Sequence, residues 1–73
     1  MIKILLLSSL YNVLIAEPEN GQYNYLLEVP GEELLVSYNS TDKYSMGTSV
    51  HLSLKLECEP MGSKQICTAT NLK

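Results

Sequence analysis

Few side chains in this 73-residue chain could do chemistry: one histidine, two cysteines and eight carboxylates. His51, Cys58 and Cys67 cannot fill a four-ligand structural zinc site, although a catalytic set of two cysteines and one histidine would suffice in number. Their spacing argues against convergence. From Val50 to Cys58 apolar and polar residues alternate without a slip, which places His51 on the opposite strand face from Cys58, among Ser53, Lys55 and Glu57. The carboxylates cluster as Glu17 with Glu19, Glu32 with Glu33 and Glu57 with Glu59, each pair beside a turn signal. General acid–base catalysis needs such groups in a cleft that perturbs their pKa values, whereas turn residues lie in water. No Gly-x-Ser-x-Gly elbow or glycine-rich phosphate loop occurs. We therefore expect no catalytic residue, no metal site and no cofactor, and a protein that works by contact rather than by catalysis.

Charge narrows the partner. The net charge is −3 and all five cations are lysines, so the chain has no guanidinium fork for phosphate or guanine. Counterion release on nucleic acid or an anionic membrane needs a basic surface, so both are disfavoured as partners and another protein is expected. Tyrosine joins a large apolar body to a polar tip and is enriched at interfaces. Among the five tyrosines, Tyr23 and Tyr25 share a strand face with Leu27 and Val29. They either finish the core or form, with Tyr44, an aromatic patch for a partner; Tyr23, Tyr25 and Tyr44 are the candidate partner-binding residues.

These residues are positioned by strands. The Val50–Cys58 alternation is that of a half-buried strand. Upstream, Tyr11–Ala16 and Gln22–Val29 flank Asn20-Gly21, a type I′ hairpin signal because both central residues need positive φ. That loop would set Glu19 opposite Gln22 and Pro18 opposite Tyr23. Val29-Pro30-Gly31-Glu32 predicts a type II turn, Leu34–Tyr38 a short strand, and Asn39–Gly47 the longest loop, with room for one helical turn near Asp42–Met46. Within it Asn39-Ser40-Thr41 matches the N-glycosylation pattern, which has meaning only in an exported eukaryotic chain. Ile2–Leu7 is continuously apolar and predicts a strand covered on both faces. The same region, Met1 to Ala16, also has the outline of a secretory signal, although Ser8, Ser9, Tyr11 and Asn12 interrupt it. It is too short to span a bilayer.

The closing hairpin can be registered from its turn. Gly62-Ser63 suits type II′, and pairing outward into Gln65–Leu72 sets Met61 opposite Lys64, Pro60 opposite Gln65 and Cys58 opposite Cys67. The cysteines then occupy a non-hydrogen-bonded pair, where opposing side chains are closest. Cys58 and Cys67 are a candidate disulfide; in a reducing compartment they would instead be small buried thiols.

The stretch Tyr25-Leu-Leu-Glu-Val-Pro-Gly-Glu-Glu-Leu-Leu-Val36, a polar loop, and then Met46-Gly-Thr-Ser-Val-His-Leu-Ser-Leu54 resembles TOBE domains, OB-like barrels at the end of the ATPase subunits of ABC importers. The resemblance implies an OB-like or SH3-like barrel with roles in interdomain contact or small-anion sensing, and carries over no ligand-binding residue. The fold expected is a single all-β domain over residues 1–73, a five- to six-stranded, mainly antiparallel barrel or rolled sheet. The function expected is that of a cytoplasmic, non-enzymatic binding or regulatory module, with a homodimer as one form of the contact. Two alternatives stand beside it: a secreted, disulfide-stapled β-domain after cleavage near Ala16, and a small acidic inhibitor of the mobile-element or phage type that blocks a basic surface.

Overall fold

The computed structural model describes residues 3–71; the expected strand ends at Ile2 and Leu72 lie outside the described residues. Five strands occur in the order β1 Lys3–Glu19, β2 Gln22–Glu28, β3 Leu34–Ser40, β4 Ser49–Met61 and β5 Lys64–Asn71. They close into a barrel in the order β1-β2-β3-β5-β4. Every neighbouring pair is antiparallel except β3 with β5. The expected all-β barrel is what the chain forms, with five strands because residues 3–7 and Tyr11–Ala16 belong to one continuous β1 rather than to two strands.

β1 makes closure possible. At roughly 3.3 Å per residue its 17 residues would span about 55 Å if straight, yet the longest dimension of the molecule is 32 Å. The strand must bend sharply. It does so at a bulge, where the register with β2 passes from Val13↔Leu27 to Ile15↔Leu26 and leaves Leu14 unopposed. A bulged strand bends and twists more strongly than its partner. Before the bulge β1 pairs with β4, from Lys3↔Cys58 to Asn12↔Ser49; from Asn12 onward it pairs with β2. The turns hold the expected registers. Asn20 and Gly21 have φ of 50° and 78°, Gly31 has φ of 82° beneath a Glu32 N–H to Val29 C=O bond of 3.0 Å, and Gly62 has φ of 65°. Glu19↔Gln22, Pro18↔Tyr23, Met61↔Lys64, Pro60↔Gln65 and Cys58↔Cys67 all pair as read from the sequence.

The core is the barrel interior. Tyr11, Val13, Tyr25, Leu27, Val36, Tyr38, Leu54, Leu56, Cys58 and Cys67 are each no more than 2% exposed. β4 contributes the alternating set Leu52, Leu54, Leu56 and Cys58, with Val50 half-buried. The expectation that Ile2–Leu7 is covered on both faces is corrected. Ile4 is 58% and Leu6 71% exposed, while Leu5 and Leu7 pack half-buried against the core. A single-layer barrel has one interior, so a strand apolar at both parities must turn half its side chains outward. The long loop, residues 41–48, also holds no helical turn; it ends in a turn in which Thr48 Oγ1 and N–H both donate to Ser45 C=O.

Candidate contact surface

Four tyrosines gather at one mouth of the barrel. Tyr25 stands at their centre, stacked with Tyr23 at 6.0 Å and Tyr38 at 6.4 Å between ring centroids, and tilted against Tyr44 at 5.4 Å. Its hydroxyl donates to Asp42 C=O at 2.6 Å and accepts from Tyr44 N–H at 2.8 Å. One phenol thus satisfies two main-chain groups of the long loop, where secondary structure supplies no partner. The expectation that Tyr25 meets a partner directly is corrected, because at 2% exposure it is a core and loop-anchoring residue. Tyr23 and Tyr44 are half-buried and rim the mouth. Burial pushes the Tyr44 hydroxyl above the ordinary tyrosine value, helped by the Asp42 carboxylate it faces at 3.5 Å. Burial alone raises Tyr11, whose hydroxyl donates to Leu7 C=O at 3.1 Å.

The groups considered for chemistry remain apart. His51 is exposed on the outside of β4, with Ser53, Lys55 and Glu57, while Cys58 points into the core. Cys58 and Cys67 form a disulfide with Cα atoms 4.0 Å apart, bridging neighbouring strands inside the barrel. Glu17, Glu19, Glu32, Glu33, Glu57 and Glu59 are all exposed. Glu57 and Glu59 share a shallow outer groove with Ile66 and Thr68, and Glu28, Glu32 and Glu33 share another with Leu34, Leu35 and Lys64. Among the described residues no three His, Cys, Asp or Glu side chains are arranged to hold a metal ion, and no helix is long and apolar enough to cross a membrane. Asn39 is exposed on β3, beside Ser40 and Thr41.

The outside of β1 is the surface that sequence reasoning missed. Ile4, Leu6, Leu10, Leu14 and Ile15 are 58, 71, 47, 40 and 43% exposed. Strand alternation sends Ile4, Leu6 and Leu10 outward, and the bulge adds Leu14 and Ile15 side by side. Ser8 alone interrupts the first part of the stripe, its hydroxyl accepting from Ser53 Oγ at 2.9 Å. Met46, 62% exposed, precedes Gly47, whose N–H donates to Val13 C=O at 2.8 Å, so it stands beside the bulge. The stripe carries no charge from Ile4 to Ala16. Its signal was present in the sequence: a domain too small for a second layer cannot hide both faces of Ile4–Leu7. No protein-family model matches this chain, and neither a curated protein nor a solved structure matches it.

Proposed function

We propose that this protein is a non-enzymatic OB-like binding module that acts on another protein through the outer face of β1. The observation that carries the reading is the row of exposed apolar side chains Ile4, Leu6, Leu10, Leu14 and Ile15 along one strand, broken only by Ser8 and Asn12, because a concentration of large exposed apolar side chains on a small domain marks interaction sites. The strand order and the parallel β3–β5 contact support the OB-like part, which is also what the TOBE resemblance implies. OB barrels that take nucleic acid use their β2–β3 face, with cations and stacking aromatics. Here that face presents Gln22, Asn24, Leu26 and Glu28 on β2 with Ser37 and Asn39 on β3, and none of these is a cation or an aromatic. Protein contact is the better reading of the same barrel. Tyr23 and Tyr44 contribute at the rim, and Tyr25 acts through the loop it anchors.

A secreted, disulfide-stapled domain is the second reading, favoured by the oxidised Cys58–Cys67 pair. The cleavage near Ala16 that it invokes would remove every residue of β1 that pairs with β4. The cytoplasmic reading keeps those residues and needs a disulfide that survives or cycles there. The intact mass of protein recovered from its native host reads out both points, through the presence of residues 1–16 and the two hydrogens lost on oxidation.

Partner capture by tagged protein tests the contact. Leu10→Glu and Leu14→Glu are expected to abolish binding that is weakly salt-dependent, since an apolar interface is little screened. Charge reversal at Glu32 and Glu33 should leave it intact. Binding lost on reversing Glu32 and Glu33, kept in the β1 variants and steeply weakened by salt would replace this reading with that of an acidic inhibitor.

A further inference from the structure

The first half of β1 has an open edge as well as an apolar face. Val13 N–H donates to Thr48 C=O at 2.9 Å and Val13 C=O accepts from Gly47 at 2.8 Å, so the Val13 main chain points to the β4 side. Alternation then turns the main chains of Tyr11, Ser9, Leu7 and Leu5 toward β4, and those of Leu10, Ser8, Leu6 and Ile4 the other way. On that other side pairing with β2 begins only at Asn12↔Glu28. Among the described residues no strand pairs with Ile4–Leu10 there. Natural edges are blunted by lysine, proline, a bulge or short length. Ile4–Leu10 contains no charge and no proline, and the bulge of β1 lies beyond it.

We propose that this edge is covered by a second copy of the chain, through antiparallel β1–β1 pairing about a two-fold axis at Leu7. The inference rests on β1 being the contact surface and names its occupant. The edge is self-complementary under that axis: Ile4 meets Leu10 of the other copy and Leu6 meets Ser8, so all four outward-facing main chains are paired, with about eight hydrogen bonds. Each copy carries a net charge of −3, and Ile4–Leu10 holds none of it. Copies that repel elsewhere can therefore meet here without opposing like charges. The pairing also sets the outer Ile4, Leu6 and Leu10 of both copies side by side on one continuous face, burying part of the stripe that each copy alone leaves in water. Six strands, β5-β4-β1 of one copy and β1-β4-β5 of the other, become a single sheet.

Analytical ultracentrifugation of the full chain from about 1 to 500 μM, a range that spans weak reversible association, tests the proposal. A reversible monomer–dimer equilibrium is expected. Ser8→Pro removes an outward N–H without touching the β4 ladder, and Leu6→Lys places a charge on the edge; each should weaken the dimer about tenfold or more. Thr68→Lys, exposed on β5 where it is paired with both β3 and β4, should change it less than threefold. Should the Ser8 variant fail to fold, hydrogen exchange of the wild type decides instead. The amides of Ile4, Leu6, Ser8 and Leu10 should become protected as concentration rises, whereas those of Leu5, Leu7 and Ser9 should be protected throughout. A chain that stays monomeric to 500 μM, or a dimer in which those four amides exchange as in the monomer, overturns the proposal. A monomer whose partner binding is still lost in Leu10→Glu overturns the second copy alone and leaves the contact surface standing.

Discussion

β1 and β4 lie side by side in the same sheet and meet opposite requirements. Among the described residues β4 pairs with β1 from Ser49 to Cys58 and with β5 from Leu54 to Met61, so it is paired on both edges from Leu54 to Cys58, and its outer positions are His51, Ser53, Lys55 and Glu57. The first half of β1 is paired on one edge, and its outer positions Ile4, Leu6 and Leu10 are apolar. Inside the barrel the two strands are alike, supplying Leu5, Leu7 and Tyr11 against Leu54, Leu56 and Val50. The difference lies wholly on the outside. The outer face of β4 is polar where it has one neighbour, at His51 and Ser53, as well as where it has two, at Lys55 and Glu57, whereas the first half of β1 combines an apolar outer face with a free edge and so retains the means of joining something else.

Cutting the same amount of side chain from each strand should cost very different amounts of stability. Leu54→Ala or Leu56→Ala, at 0% exposure, should cost about 2–5 kcal/mol in urea denaturation and leave so small a domain largely unfolded. Leu6→Ala, 71% exposed, should stay within about 0.5 kcal/mol for the monomer. Comparable losses at both positions would mean that the outside of β1 is not solvent-facing. Next in size is the covalent tie that β4 has and β1 lacks. Reduction of Cys58–Cys67, which encloses a sequence separation of 9, should lower stability by roughly 2–3 kcal/mol. Thermal melts with and without reductant would show it, with β4 and β5 amides losing more protection than those of β2.

Gly62→Ala forces a side chain into φ of 65° at the β4–β5 turn, where nothing lies within 4 Å of the added carbon. The cost is backbone strain alone, about 1–2 kcal/mol. The smallest effect is alkaline. Burial raises Tyr11 and Tyr44 above the unfolded value of 10.0, so the native state holds the phenolic proton more tightly than the unfolded chain. Their stabilising contribution is complete below about pH 10 and is lost as pH rises through the folded values. Denaturation midpoints at pH 8 and pH 11 should differ in that direction, and Tyr11→Phe should reduce the difference.

β4 was legible because its two faces differ in polarity, and its turns were legible because Asn20-Gly21, Pro30-Gly31 and Gly62-Ser63 each require a particular φ. Those turns fixed the hairpin registers down to the opposition of Cys58 and Cys67. β1 was misread for the complementary reason: a contact face and a core face on one strand are chemically the same, so periodicity vanishes. The bulge at Leu14 hid the rest by shifting parity midway. Tyr25 shows a third limit. Its face was evident from its spacing with Leu27, but the two main-chain groups its hydroxyl serves, at Asp42 and Tyr44, lie 17 and 19 residues away and leave no local trace.

The disulfide has a bearing on chain integrity. Cys58 and Cys67 bracket the exposed Gly62-Ser63 turn, the kind of projecting loop tip at which proteases cut. A molecule nicked there would remain one covalent object, its two pieces joined inside the barrel with β4 and β5 still in register. The break would become visible only on a reducing gel, and the tip of this hairpin could be opened, or replaced by an inserted sequence, without releasing the strand that closes the wall.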